Sequence, residues 1–305
     1  MASLPSSRRA YRRTDDHTPG TPKVRLLTEP LPLPLHPTSV LIKVHAVSLN
    51  YRDANIANGG NPWPVIPHGV PCNDAAGEVV AAGGSVTTLA ADGVLADYLV
   101  FDEKKVCRLP AHLDWVGASI VPCAGVTAWA ALKDVGFGTS VLIQGTGGVS
   151  MVALKLARAA GLGKFPSPPL LTVNYAKAQN WHEKVLEHTD GAGVDLVVEV
   201  GGTQSLVQSM KCTRRGGIIS QVGYLSKQNV SRLAELLPLI IDRRVVLRGI
   251  NAGSKQDMDD LCAALSAAQM QFDDIVDQVF QFEQADEAIE RIWQGKQVGK
   301  LVIRL

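Results

Sequence analysis

SVLIQGTGGVSMVALKLARAAG, residues 140–161, is the stretch whose reading decides the fold. The β-branched run Val141-Leu142-Ile143 reads as a buried strand, and the apolar spacing after Val149 reads as an amphipathic helix. Between them stand Gly145, Gly147 and Gly148. Gly145 permits a tight turn out of the strand. Gly147 presents no Cβ, so a pyrophosphate can approach the backbone. The helix that follows offers unpaired N–H groups and the positive end of its dipole to phosphate. The third position of this glycine fingerprint is Ser150, a small side chain that still allows close helix–strand contact. Strand before and helix after are the context that a dinucleotide-binding turn requires. The alternative is an α/β turn with no ligand.

Downstream, apolar runs alternate with helical patterns. The runs are 171–173, 194–200, 217–222 and 245–250, and the helices are 179–188, 203–212, 230–241 and 257–269. Alternation of this kind predicts βαβ units and a parallel sheet with both faces covered. Upstream, the chain reads as β-rich. Residues 39–48 alternate, with Val40, Ile42 and Val44 on one face, and 77–82, 96–101 and 106–109 are further strand-like pieces. Residues 59–71 are loop by their Pro and Gly content. Residues 114–132 are helical with an interruption near 122–125. After the last long helix come a strand (275–282), a helix (285–294) and a strand (300–305).

With 305 residues, 46% hydrophobic and 19% charged, the chain can bury a sizeable core. Thirty basic and twenty-nine acidic side chains leave a charge of +1, which argues against nucleic acid or an anionic membrane as partner. The apolar runs are too short to span a membrane. Five cysteines, none in a C-x-x-C pair, suit a reducing compartment, with the cytoplasm as default. An arginine cluster (Arg8, Arg9, Arg12, Arg13) faintly resembles a transit peptide, but Asp15 and Asp16 interrupt it; an edge strand or disordered start is the preferred reading.

Several segments taken together resemble the medium-chain dehydrogenase/reductase superfamily, in particular its zinc-independent branch of quinone oxidoreductase-like and fungal alcohol-dehydrogenase-like proteins. They are VHAVSLNYRD (44–53), AAGEVVAAGGSVT (75–87), CAGVTAWAAL (123–132), residues 141–161, GAGVDLVVEVGG (191–202) and GKLVIRL (299–305). Their order along the chain is collinear with the family. The resemblance implies an α/β protein with a GroES-like β domain (1–123, with 272–305 returning to it) and a Rossmann doubly wound parallel sheet (124–271). It implies hydride transfer to or from a small carbonyl, quinone or enone, with NADP(H) preferred and NAD(H) as the alternative. Asn50 and Tyr51 stand at positions that line the substrate cleft in similar enzymes, where amide and phenol can donate hydrogen bonds. Thr127, Gly145, Gly147, Gly148, Val149, Ser150, Val222, Gly223 and Asn251 fall at cofactor-binding positions. Asp53 is read as orienting its neighbours; the alternative for Asn50, Tyr51 and Asp53 is a hydrogen-bonded turn that closes the strand, and for Thr127 a helix-interior threonine.

Zinc-dependent members have Cys where this chain has Asn50 and His where it has Asn73, so no catalytic zinc is expected. Similar proteins dimerise through the sixth strand of the Rossmann sheet, here 245–250; a buried edge strand would show the same sequence.

Two segments of the family pattern are missing, one after Val86 and one after Gly163. The second would carry the second strand and the acidic residue that grips the adenosine ribose. In its place stand the Pro-rich 164–169 and then Asn174-Tyr175-Ala176-Lys177, with no acid among them; Lys177 could face a 2′-phosphate, which would favour NADP, but a solvated lysine is the preferred reading. Both domains are therefore read as shortened by deletions, and the first Rossmann strand as left with an open edge unless the third strand moves over to pair with it. Either an active enzyme's gene is truncated in this sequence, or the chain is a degenerate, non-catalytic relative with impaired cofactor binding.

Overall fold

A computed structural model describes residues 4–82, 93–162, 170–225 and 229–305. Both proposed deletion points, after Val86 and after Gly163, lie outside the described residues. The chain divides into two compact units: unit 1 comprises 1–124 and 254–305, and unit 2 comprises 125–253.

Unit 1 begins with an antiparallel pair, β1 (Ser7–Arg13) and β2 (Val24–Pro30), so the arginine cluster is a strand. Next comes β3 (Ser39–Ser48), which leads into the short helix α1 (Tyr51–Ala57). β4 (Asp74–Ala82) and β5 (Tyr98–Asp102) both pair antiparallel with β3. Register shifts along β3 and β4 break strict alternation, and Leu41 is as buried as Val40 and Val44. A one-face reading of 39–48 is thereby corrected: β3 is covered on both sides. Residues 106–109, expected as a strand, follow a single 3₁₀ turn as irregular chain. α2 (Trp115–Ser119) starts at Asp114, whose carboxylate accepts the Gly117 N–H at 2.8 Å.

Unit 2 opens with α3 (Val126–Ala131). β6 (Val141–Ile143), α4 (Gly148–Ala159), α5 (Trp181–His188), β7 (Val194–Glu199), α6 (Leu206–Cys212), β8 (Thr213–Gln221), α7 (Leu236–Arg243) and β9 (Val246–Gly249) follow. Among the described residues the four strands form one parallel sheet in the order β6-β7-β8-β9. Leu196, Val197 and Val198 are fully buried, as a central strand covered on both faces requires. The expected strand at 171–173 is absent. Leu170 and Leu171 are 60% and 52% exposed, and only Val173 reaches the apolar cluster around Val197 and Met210. Among the described residues, β6 pairs with β7 alone.

The chain then returns to unit 1 with α8 (Lys255–Ala268), β10 (Val276–Gln281), α9 (Ala285–Trp293) and β11 (Lys300–Arg304). β11 pairs parallel with β10 and antiparallel with β3. Residues 254–271, grouped by sequence with the Rossmann segment, fall in unit 1. Leu261, Leu265 and Phe272 are fully buried there, and His112 Nε2 lies 3.0 Å from the Met270 carbonyl oxygen.

Candidate active site

In unit 1, β3 delivers Leu49 and Asn50 to the start of α1. The Asn50 N–H donates to the Asp53 carboxylate at 2.8 Å, which closes the first turn of the helix. The Asn50 side chain is held from two directions. Its Oδ1 accepts from the Lys300 ammonium at 2.8 Å, and its Nδ2 donates to Asp74 Oδ2 at 2.8 Å. Lys300 also donates to the Leu49 carbonyl oxygen at 2.6 Å. Lys300, Asp53 and Asp74 are each 2% exposed or less. Asn73 Nδ2 reaches the other Asp53 oxygen at 3.4 Å. The ring of Tyr51 stacks on Trp293, with centroids 6.3 Å apart.

Burial dominates the electrostatics here. It pushes the Asp53 carboxyl up to about 7, with the nearby Asp74 adding to the rise and the Asn50 N–H opposing it. Burial likewise raises Asp74 to about 6, against the pull of Lys300 and the Asn50 amide. The Cys72 thiol is pushed well above its usual range by the same burial, so it is an inert core thiol and not a nucleophile. Asp53, Asn73, Cys72 and Ile56 line a cavity of about 250 Å³.

In unit 2, Gly145 has φ +74°, which an L side chain rarely adopts. Gly147 has an ordinary φ, and a Cβ added there would meet nothing within 4 Å: the space above it is open. Gly148 and Val149 form the first turn of α4. Ser150 is buried, and its hydroxyl donates to the Gln144 carbonyl oxygen at 2.5 Å, tying helix to strand where the fingerprint has glycine. The α4 N-terminus is thus an open, backbone-lined cradle for an anion. Val222 and Gly223 follow β8, and both N–H groups turn back to the Glu199 carbonyl oxygen, at 2.8 and 3.3 Å. A Cβ on Gly223 would lie 2.5 Å from the Val200 carbonyl oxygen, so this crossing needs glycine. Asn251 is exposed beyond β9. Thr127 lies in α3, which packs on α4; its hydroxyl is buried without a hydrogen-bond partner, as is Gln221 Oε1 at the end of β8. Orphaned buried acceptors of this kind suit a polar group that binds there. The open cradle and the two orphans fit a dinucleotide cofactor.

Sequence reasoning missed the two residues that organise this turn. Glu199, fully buried at the end of β7, accepts from Gly201 N–H at 2.8 Å, Gly202 N–H at 3.0 Å, Ser205 Oγ at 2.6 Å, Gln144 Nε2 at 2.7 Å and Ser209 Oγ. Gln144 Oε1 in turn accepts the Val200 N–H at 3.1 Å. The available signal was an acid, Glu199, set late in the apolar run 194–200.

Comparison with known proteins agrees with this arrangement. Residues 36–95 match the family described as alcohol dehydrogenase GroES-like domain, and 171–303 the family described as zinc-binding dehydrogenase. A zinc-type alcohol dehydrogenase-like protein of Schizosaccharomyces pombe is 32% identical over 324 aligned positions, covering 90% of this chain and 93% of its own length. The human quinone oxidoreductase is 25% identical over 317 positions, covering 94% and 95%. Both alignments are longer than the 305-residue chain, so these relatives carry residues with no counterpart here. The crystal structure of a putative alcohol dehydrogenase from Sinorhizobium meliloti superposes with a TM-score of 0.82 at 26% identity, over 99% of this chain and 100% of the other.

Zinc is implied by one family description, and the donor set does not fit it. Asn50 and Asn73 offer amide oxygens, and Asn50 Oδ1 already faces the Lys300 ammonium, a cation that would repel a second one. The collinear motifs, the parallel sheet with its glycine turn, and a relative at 32% identity over nine-tenths of the chain make this protein a member of the medium-chain dehydrogenase/reductase superfamily of nicotinamide-dependent oxidoreductases.

Proposed function

We propose that the protein is a zinc-independent, NADP(H)-preferring oxidoreductase that moves a hydride to or from a small carbonyl, quinone or enone. The observation that carries this reading is the open cradle at Gly147, with the α4 N–H groups behind it. When bound, the nicotinamide supplies or accepts the hydride. The chain's own residues do the rest. Gly145, Gly147, Gly148, Val149 and Ser150 place backbone donors at the pyrophosphate. Thr127 offers its unpartnered hydroxyl to the nicotinamide end, while Val222, Gly223 and Asn251 border the cofactor at strand C-termini. Asn50 Nδ2 donates to the substrate oxygen and stabilises the charge that develops there as hydride arrives. The Tyr51 phenol stands beside it on α1 as a second donor, and the proton that completes the reduction comes from this side or from solvent.

NADP(H) is preferred because no acid follows the glycine helix at 170–177, where a ribose-binding carboxylate would favour NAD; Lys177 is exposed there. The same reading includes a cytoplasmic homodimer through the outer edge of β9, where Val246 is 53% exposed. Among the described residues no helix is long and apolar enough to cross a membrane.

Titration of the purified protein with NADPH, followed by nicotinamide fluorescence, tests the reading, together with turnover of a quinone and an enone. Saturable micromolar binding with turnover is the expected result. Absence of binding up to millimolar NADPH would sink it. In that case the second reading gains, a non-catalytic relative without an adenosine pocket, which the exposed, strandless 170–173 favours.

A further inference from the structure

Lys300 is a buried cation, and its surroundings are specific. A buried ammonium is costly unless its protons are placed and its charge is balanced. The Leu49 carbonyl and Asn50 Oδ1 take two of its protons. Direct contact with Asp74 would balance the charge most simply. Instead the Asn50 carboxamide stands between them, accepting from Lys300 and donating to Asp74. An ammonium only donates, and an ionised carboxylate only accepts. A carboxamide between the two can therefore sit only one way round. Its oxygen and one N–H are used, and the second N–H of Nδ2 is committed to neither neighbour.

We infer that Lys300 and Asp74 are positioning residues that clamp the Asn50 carboxamide, holding its second N–H as a fixed donor for the substrate oxygen. The clamp performs with a buried lysine the polarising task that a Lewis-acid metal performs elsewhere. It extends the proposed role of Asn50 and rests on it. Three segments build it, the β3–α1 junction, β4 and β11, and Asn50 and Lys300 are 250 residues apart in sequence.

Lys300→Met removes the cation, Lys300→Arg restores it, and Asp74→Asn removes the directionality, since the carboxamide so introduced could donate as well as accept. In wild-type protein labelled with ¹⁵N at asparagine, the Asn50 side-chain amide protons should be well separated and slow to exchange. Loss of these signals in Asn50→Ala assigns them. In Lys300→Met and Asp74→Asn the pair should shift together and exchange faster. kcat with the quinone or enone should fall by about 100-fold, as expected when a reacting group loses its orientation, while the NADPH Kd stays unchanged. Lys300→Arg should recover part of kcat. If Lys300→Met does not give a cooperative melt, Asp74→Asn carries the test alone. An Asn50 amide pair unmoved in a folded variant would overturn the clamp. If wild-type protein neither binds NADPH nor turns over, the proposed function is lost, and the amide spectra still decide for or against the clamp.

Discussion

Gln144 and Glu199 join the ends of two adjacent parallel strands, through a hydrogen bond of 2.7 Å from the carboxamide to the carboxylate. Gln144 opens the glycine turn after β6, and Glu199 closes β7. The carboxylate also collects two backbone N–H groups and two hydroxyls, so the loop after β7 and the start of the glycine turn are held by one buried acid. Glu199→Ala would strand all of these donors. A loss of about 3 kcal/mol or more is expected, since each unsatisfied buried group costs about 1–3 kcal/mol. Glu199→Gln, which keeps the acceptor oxygen, should lose less. Urea unfolding of the three proteins checks the order; equal stabilities would contradict the role given to the carboxylate.

The two leading glycines separate stability from binding. Gly145→Ala forces an L side chain to φ +74° and should cost about 1–2 kcal/mol of stability. Gly147→Ala meets no atom in the free protein, so its stability should change by less than about 1 kcal/mol. Its Cβ would stand in the cradle, and NADPH affinity should fall at least about tenfold, a loss of ~1.4 kcal/mol. Calorimetric titration of Gly147→Ala with unchanged affinity would remove the cradle from the site.

Thr127→Val tests the orphaned hydroxyl. Replacing a buried, unpartnered hydroxyl by a methyl of the same shape should leave the free protein as stable or up to about 1 kcal/mol more stable. The stabilisation that NADPH confers should shrink. Thermal melts with and without the cofactor measure both quantities, and a full NADPH shift in the variant would exclude the hydroxyl from the cofactor's contacts.

Asp53 and Asp74 make stability depend on pH in an unusual direction. Both carboxyls titrate higher in the fold, at about 7 and about 6, than in the unfolded chain. The folded state therefore binds more protons between pH 4 and 7, and the stability these groups contribute falls as pH rises through that window. Asp15, Glu29 and Asp195 are lowered by their hydrogen-bond and arginine partners, so their stabilisation is lost on the acid side, below about pH 4. A stability maximum near pH 5 is expected, with a decline to pH 8 on the order of a few kcal/mol. Asp53→Asn, which keeps an acceptor for the Asn50 N–H, should flatten that decline. A midpoint that rises from pH 5 to pH 8 in wild-type protein would contradict the burial of an ionisable Asp53.

Local physics was legible where it acts over a few residues. The apolar run 194–200, read as a strand, forms β7 with Leu196, Val197 and Val198 fully buried. The strand, glycines and helix of 140–161 formed as read, because turn conformation and helix start depend on nearest neighbours. Position was less legible where a partner elsewhere in the chain decides. Leu171-Thr172-Val173 has strand composition, as the equally short β6 does, but it forms no strand and its first leucine is exposed. The membership of α8 depends on which surface buries Leu261 and Leu265, and its periodicity does not record that choice.

The sequence by itself determined the parallel α/β unit, the β-rich unit around β3 and the glycine turn between β6 and α4, since apolar period and glycine placement are local properties of the chain. Only the tertiary structure decided that Asn50 is gripped by Lys300 and Asp74, and that Glu199 holds the glycine turn. Those hydrogen bonds join residues that are 24 to 250 positions apart. Their strength comes from burial in a low dielectric, which is a property of the packed fold and is written in no single segment.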